Sequence, residues 1–156
     1  MTKKTITADA ALKKAANYCS KSEHCVHEVR EKLRSWGLDN HEDEEHIIDW
    51  LKSENFIDEV RFTRAFIHDK LEYQHWGRTK ISYQLQLKQI STVLINEVLN
   101  ELVNPCKYQE TLTGILREKA REMSRPLSPQ DYAKLQRFGA QRGFESTLVR
   151  KVLETL

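Results

Sequence analysis

Apolar residues recur along this chain at intervals of three and four, the spacing of one face of an α-helix. Ala11, Leu12, Ala15, Ala16 and Cys19 predict a helix from about Thr7 to Ser20. Val26, Val29 and Leu33 predict a second from Glu23 to Trp36, with Ser22 as its N-cap and Gly37 just past its end. A third, carrying Ile47, Ile48, Trp50 and Leu51, follows Asp39-Asn40. Asp58 is the expected cap of a fourth helix, which presents Phe62, Ala65, Phe66 and Tyr73 on one face and ends by Trp76-Gly77. Arg78 to Gln89 reads as a helix with Ile81 and Leu85 inward, and Ser91-Thr92 opens another through Leu102. Asn104-Pro105 is the clearest break, because proline pushes the residue before it out of the helical region and favours a helix start. The helix that follows runs to Glu122 with Leu112, Ile115 and Leu116 inward, then Met123. Gly114 sits inside it at a cost of about 1 kcal/mol relative to alanine, which predicts a close approach by another helix. Ser128 and Pro129 open the last two helices, divided at Gly143. The expectation is an all-α chain of nine helices without strands.

The pattern also repeats. A shift of 54 residues lays Ile81, Ile90, Leu94, Val98, Leu99 and Leu102 over Leu135, Phe144, Leu148, Val152, Leu153 and Leu156. A shift of 52 lays Val29, Leu33 and Leu38 over Ile81, Leu85 and Ile90. A period near fifty residues marks a supersecondary unit used repeatedly. We expect three tandem three-helix units, 1–55, 56–104 and 105–156, in an elongated, curved array. Units this small are marginal alone. Such arrays present surfaces that grip large partners rather than pockets for chemistry.

Charge separates the halves. Residues 1–59 hold nine Lys and Arg against 13 Asp and Glu, a balance of −4; residues 60–156 hold 16 against ten, a balance of +6. The acidic run Glu42-Asp43-Glu44-Glu45 suits the first turn of a helix. The basic remainder points to an acidic or polyanionic partner. The residues singled out for that surface are Arg61, Arg64, Arg78, Lys80, Lys88, Arg117, Arg121, Arg137, Arg142 and Arg150. Arg117, Arg121 and Arg125 follow at four-residue spacing, which puts them on one helix face.

Chemistry is harder to place. The chain has no Gly-rich phosphate loop, nucleophile elbow or HExxH motif. Cys19, His24, Cys25 and His27 cluster, but their spacing is irregular and no second ligand pair follows. The aromatics at helical spacing read as core, and Trp36, Trp50 and Trp76 sit near helix ends where a large ring seals a small core. No catalytic residue, metal or cofactor is expected. No apolar run approaches a membrane span, and Met1-Thr-Lys-Lys-Thr lacks the apolar core of a secretory signal. The three cysteines are expected as free thiols in a cytoplasmic, monomeric protein.

The stretch Phe56-Ile57-Asp58-Glu59-Val60-Arg61-Phe62-Thr63-Arg64-Ala65-Phe66-Ile67, followed by Gly77, Ile81 and Leu85, resembles the signature of the RecX family. The segment Cys25–Gly37, with Val29, Leu33 and the closing glycine, is similar to the same family's preceding unit. The resemblance covers residues 8 to 102, and the last third through the repeat. It departs at Thr63, where alanine is common, at Lys70, near a usual arginine, at Gln84, where glutamate is usual, and at Gln89, where glycine often stands. The resemblance implies a cytoplasmic bacterial modulator of the recombinase RecA, built from three tandem three-helix units and acting in DNA repair and the SOS response. It implies binding in the groove of the RecA filament on single-stranded DNA. There it would block extension and damp ATP hydrolysis, strand exchange and co-protease activity, with no chemistry of its own. RecA is then the partner, single-stranded DNA an additional contact and duplex DNA a weaker one. The alternative is a tandem helix-turn-helix DNA-binding protein, for which Ser82, Gln86 and Gln89 come nearest to a recognition face.

Overall fold

Nine α-helices make up the regular structure of residues 5–156, the part that this computed structural model describes; those residues contain no strand. They are α1 (Ala8–Lys21), α2 (Val26–Ser35), α3 (His41–Ser53), α4 (Glu59–Glu72), α5 (Arg78–Leu87), α6 (Thr92–Leu102), α7 (Pro105–Ala120), α8 (Pro129–Gln141) and α9 (Ser146–Leu153). Most begin where the sequence supplies a cap. The side chains of Thr7, Asn40, Ser91, Asn104 and Ser128 each accept a backbone N–H of the first turn. Asp58 accepts from the N–H groups of Val60 and Arg61, both at 3.0 Å. No helix among the described residues is long and apolar enough to cross a membrane.

The sequence repeat is a repeat of buried positions. Val29, Ile81 and Leu135 are fully buried, as are Leu33 and Leu85. Leu38, Ile90 and Phe144 follow suit, and so do the pairs Val98 with Val152 and Leu99 with Leu153. The equivalence extends to the backbone. Gly37, Gln89 and Gly143 are related by the same shifts, and all three are left-handed, with φ of 99°, 60° and 93°. Each follows a helix and reverses the chain through a conformation that costs a side-chain-bearing residue about 1–2 kcal/mol. The middle repeat carries that strain on Gln89. Gln89→Gly is therefore expected to raise stability by roughly 0.5–1 kcal/mol, after the larger chain entropy of glycine offsets part of the relief; a urea melt reads it directly.

The described chain divides into two compact units. The first runs up to Ala65 and takes in Lys88–Ile90. In it α1, α2 and α3 pack mutually around Ala11, Ala15, Cys19, Val29, Leu33, Ile47, Ile48, Leu51 and Ile57, with Trp36, Trp50 and Phe56 at the margin. Small residues on α1 let the other two helices close on it. The acidic start of α3 is more than a solvated end. Glu44 is only 4% exposed, and it accepts from Arg30 Nη1 at 2.9 Å and from Arg34 Nη2 at 3.1 Å. Burial pushes its carboxyl up, but the two guanidiniums outweigh it and hold it below the usual range.

The start of α2 departs from expectation. Ser22 does not cap it; residues 22–25 are outside any helix, and the Ser22 hydroxyl pairs with His24 Nε2 at 2.9 Å. Cys25 is the N-cap, and Glu28 supplies the missing acceptor by reaching back to the Cys25 N–H. Glu28 also takes Lys88 Nζ at 2.9 Å and His24 Nδ1 at 3.1 Å. Glu59 lies nearby with less help. One of its oxygens is buried with no partner, and burial holds its carboxyl above the usual carboxylate range against the opposing Val26 N–H. A carboxyl whose pKa is raised by folding binds its proton more tightly folded than unfolded. Its contribution to stability therefore grows as pH falls through the raised value toward 4.5. Glu59→Gln is expected to stabilise the protein by roughly 0.5–1 kcal/mol at pH 7 and to narrow that gain at pH 5. Denaturant melts of both chains at the two pH values give the difference.

The second unit holds Phe66–Leu87 and Ser91–Leu156. Its α5 packs on α6, and α7, α8 and α9 pack mutually around Leu112, Leu116, Ala120, Leu135, Phe144, Val149 and Val152. Two expectations fail along the chain. On α4 the buried residues are Phe62, Thr63 and Ile67, whereas Ala65 and Tyr73 are exposed. Thr63 is tolerated inside because its hydroxyl donates to the Glu59 carbonyl at 2.7 Å. On α7 nothing approaches Gly114: a β-carbon built there meets no atom within 4 Å.

Candidate binding surface

The close approaches are made elsewhere, by Gly77 and Gly143. A β-carbon on Gly77 would fall 2.3 Å from the Gly143 carbonyl carbon, and one on Gly143 would fall 2.2 Å from Lys80 Cβ. Real β-carbons do not come that near, so backbone crosses backbone here because neither residue has a side chain. The contact lets the turn between α8 and α9 cap the start of α5. The Gly77 N–H donates to the Arg142 carbonyl at 2.7 Å and the Thr79 N–H to the Gly143 carbonyl at 3.0 Å. Two of the orphan donors that any helix N-terminus leaves are thereby satisfied. Tyr108 on α7 completes the joint: its hydroxyl accepts the Arg78 N–H at 2.9 Å and donates to Glu145 Oε1. Burial, then the Glu145 carboxylate, push that hydroxyl well above its ordinary pKa. These contacts tie the start of α5 to α7 and to the turn between α8 and α9.

The basic residues differ in what holds them. Arg61 donates from Nε to Glu23 and from Nη2 to the Asn55 carbonyl at 3.1 Å. Arg78 donates from Nη2 to Asn100 Oδ1 at 2.8 Å. Lys88 is held by Glu28. Lys70 and Lys80 both lie over the Trp76 ring, at 4.7 and 4.3 Å from its centre. Arg142 lies over Phe138 and donates to the Gln74 carbonyl at 3.3 Å. Each of these cations holds its own fold together. Arg64 is exposed on α4.

The other group is open. Arg117 on α7, Arg137 on α8 and Arg150 and Lys151 on α9 are exposed, and their side chains make no hydrogen bond or ion pair among the described residues. Among the described residues the Arg121 side chain pairs with Glu118 alone, at 3.0 Å and with both side chains about three-quarters exposed, a pairing worth about 0–1 kcal/mol. Because α7 ends at Ala120, Arg125 belongs to the loop beyond it rather than to a continued helix face. The open cations therefore sit on three mutually packed helices at the end of the chain. Sequence reasoning gathered ten basic residues but had no means to separate those held by internal partners from those left free. It also missed Tyr108 and Glu145, whose roles depend on contacts 30 and 37 residues apart.

The chain is similar to known proteins. A family model for the second three-helix domain of RecX matches residues 58–99, and one for the third three-helix domain matches residues 107–153. A protein of Clostridium tetani named regulatory protein RecX is 34% identical over 144 residues; the match takes in 91% of this chain, which spans 65% of that relative's length. A protein of the same name from Prosthecochloris aestuarii is 27% identical over 94% of this chain and 93% of its own. The crystal structure of RecX from Lactobacillus salivarius superposes with a TM-score of 0.82, covering 96% of each chain at 19% identity, which shows a shared fold. With two consecutive domain models matched in order across more than half its length, and named relatives along nearly all of it, the chain belongs to the RecX family.

Proposed function

We propose that this protein regulates the recombinase RecA: it binds the RecA filament on single-stranded DNA and inhibits its growth, its ATP hydrolysis and its recombination and co-protease activities, acting in the cytoplasm as a monomer and without chemistry of its own. The observation that carries this reading is the set of open arginines, Arg117, Arg137 and Arg150, on the third domain of a chain whose relatives are named regulatory proteins. Cations left without internal partners suit acidic protein patches or DNA phosphate, and they speed and orient docking on such a target. Arg121 extends the proposed surface and Arg64 on α4 is a further proposed contact of its own unit, while Arg61, Arg78, Lys80, Lys88 and Arg142 contribute by holding the scaffold. We take the chain as three domains bounded at 55/56 and 104/105. The duplex-binding alternative is weaker, because Ser82, Gln86 and Gln89 carry no cation and their neighbour Arg78 is engaged with Asn100.

Filament extension tests this reading. Labelled RecA assembling on long single-stranded DNA is expected to stop growing when the protein is added at levels well below those of RecA. Uninterrupted growth at equal concentrations, with the added protein shown to be folded, would refute it.

A further inference from the structure

Helices α1 and α2 present a basic face on the acidic half of the chain. Lys14, Tyr18 and Lys21 follow at four and three residues along α1 and share one side of it. Lys32 on α2 and Trp36, its C-cap, stand one turn apart. The three lysines are exposed and the two rings half-buried. The pairs cross between the helices. Lys14 Nζ lies 5.4 Å from the centre of the Trp36 ring, and Lys32 Nζ 5.5 Å from that of Tyr18. The rings meet edge to face with their centres 6.2 Å apart, and Tyr18 also stacks on His24 at 3.7 Å.

Among the described residues no carboxylate pairs with Lys14, Lys21 or Lys32. The acids of the two helices are placed elsewhere: Glu28 takes Lys88 and His24, Glu31 takes His27 at 3.1 Å, and Asp9 sits in the first turn of α1. A ring attracts an ammonium but does not neutralise it, so three like charges on one face call for a counter-charge from outside. The two rings add a second requirement, a flat group to stack on them. Burial, then Glu28, push the Tyr18 hydroxyl up to about 12, so that ring stays neutral beside an anion. Phosphates joined to flat bases meet both requirements. Bases in a duplex are closed against one another, so the strand that fits is single. A base stacked on a ring is held more strongly than an exposed ammonium over the same ring. The base therefore displaces the lysine, and the freed ammonium turns to the phosphate.

We propose that the α1–α2 face of the first unit binds single-stranded nucleic acid, with bases stacked on Tyr18 and Trp36 in place of Lys32 and Lys14, and with those two lysines and Lys21 on the flanking phosphates. This site is separate from the third-domain arginines and needs no RecA.

The test uses the full chain and three labelled probes of equal length: an oligothymidylate, the abasic strand with the same phosphates, and the oligothymidylate paired as a duplex. The oligothymidylate is expected to bind roughly tenfold or more tighter than the abasic strand, and tighter than the duplex. Lys14→Gln combined with Lys32→Gln changes only exposed positions. It is expected to leave the melting temperature unchanged and to lower affinity for the oligothymidylate roughly tenfold or more at low salt. Equal affinity for the abasic strand would mean phosphate contact without stacking and would overturn the proposal. Wild-type affinity in the double variant would place the binding elsewhere and overturn it too. So would an absence of binding to the oligothymidylate, tighter binding to the duplex, or displacement of the oligothymidylate by polyglutamate of matched charge, which would assign the face to an acidic protein.

Discussion

Gly77→Ala is expected to destabilise the protein by more than about 3 kcal/mol. The new methyl group would lie 2.3 Å from the Gly143 carbonyl and 2.4 Å from the Phe144 nitrogen. These are backbone atoms of a turn that buried Phe144 and the packing of α8 on α9 hold in place. Relief requires that the turn move away, which breaks the Gly77-to-Arg142 and Thr79-to-Gly143 hydrogen bonds and leaves the start of α5 uncapped. Each buried donor left unsatisfied costs about 1–3 kcal/mol. Gly114→Ala is the matched control. There the β-carbon meets nothing, and the better helix propensity of alanine is expected to raise stability by about 1 kcal/mol. Urea melts of the two variants should therefore move in opposite directions from the wild type. A Gly77→Ala protein that melts with the wild type would mean that the crossing of the two backbones is not the joint described.

Reversing charge at Arg117, Arg137 and Arg150 together is expected to weaken binding to RecA filaments on single-stranded DNA by roughly a hundredfold or more at low salt, with no loss of thermal stability. No internal hydrogen bond or ion pair is broken, because these three side chains make none among the described residues. The dependence of affinity on salt should flatten at the same time, by about one unit of slope for each phosphate contact removed. Adding Arg121→Glu should deepen the effect, since its pairing with Glu118 is exposed. Arg61→Glu makes the contrast. Arg61 is engaged with Glu23 and Asn55, so its reversal sets two carboxylates against each other and is expected to lower the melting temperature first. Filament affinity that survives the triple reversal would remove the third-domain arginines from the surface.

The positions that could be read from sequence were those where one local rule decides. Caps such as Asp58, Ser91 and Ser128 act within a single helix turn. The buried repeat from Val29 to Ile81 to Leu135 follows from periodicity alone. Gln89 stood out because glycine often occupies that place in the family, and its left-handed backbone gives the reason. Errors arose where a distant residue overrides the local signal. Ser22 looked like a cap, but Glu28 reaches back to Cys25 and starts α2 three residues later. Gly114 and Gly77 are both glycines beside helical patterns, yet only the second meets another backbone, and nothing within fifty residues of it marks Gly143 as its counterpart. The sorting of arginines has the same origin. Arg78 is engaged because the fold brings Asn100 to it, whereas no side chain among the described residues pairs with that of Arg117, and the residues next to either do not tell the two apart.

The most direct measurement is the rate of ATP hydrolysis by RecA on single-stranded DNA, with RecA from the same organism, as this protein is titrated in. Hydrolysis is expected to fall at protein levels well below those of RecA, and the triple reversal of Arg117, Arg137 and Arg150 is expected to shift the titration to much higher concentrations. Hydrolysis that stays constant up to equal concentrations of folded protein would contradict the proposed regulation.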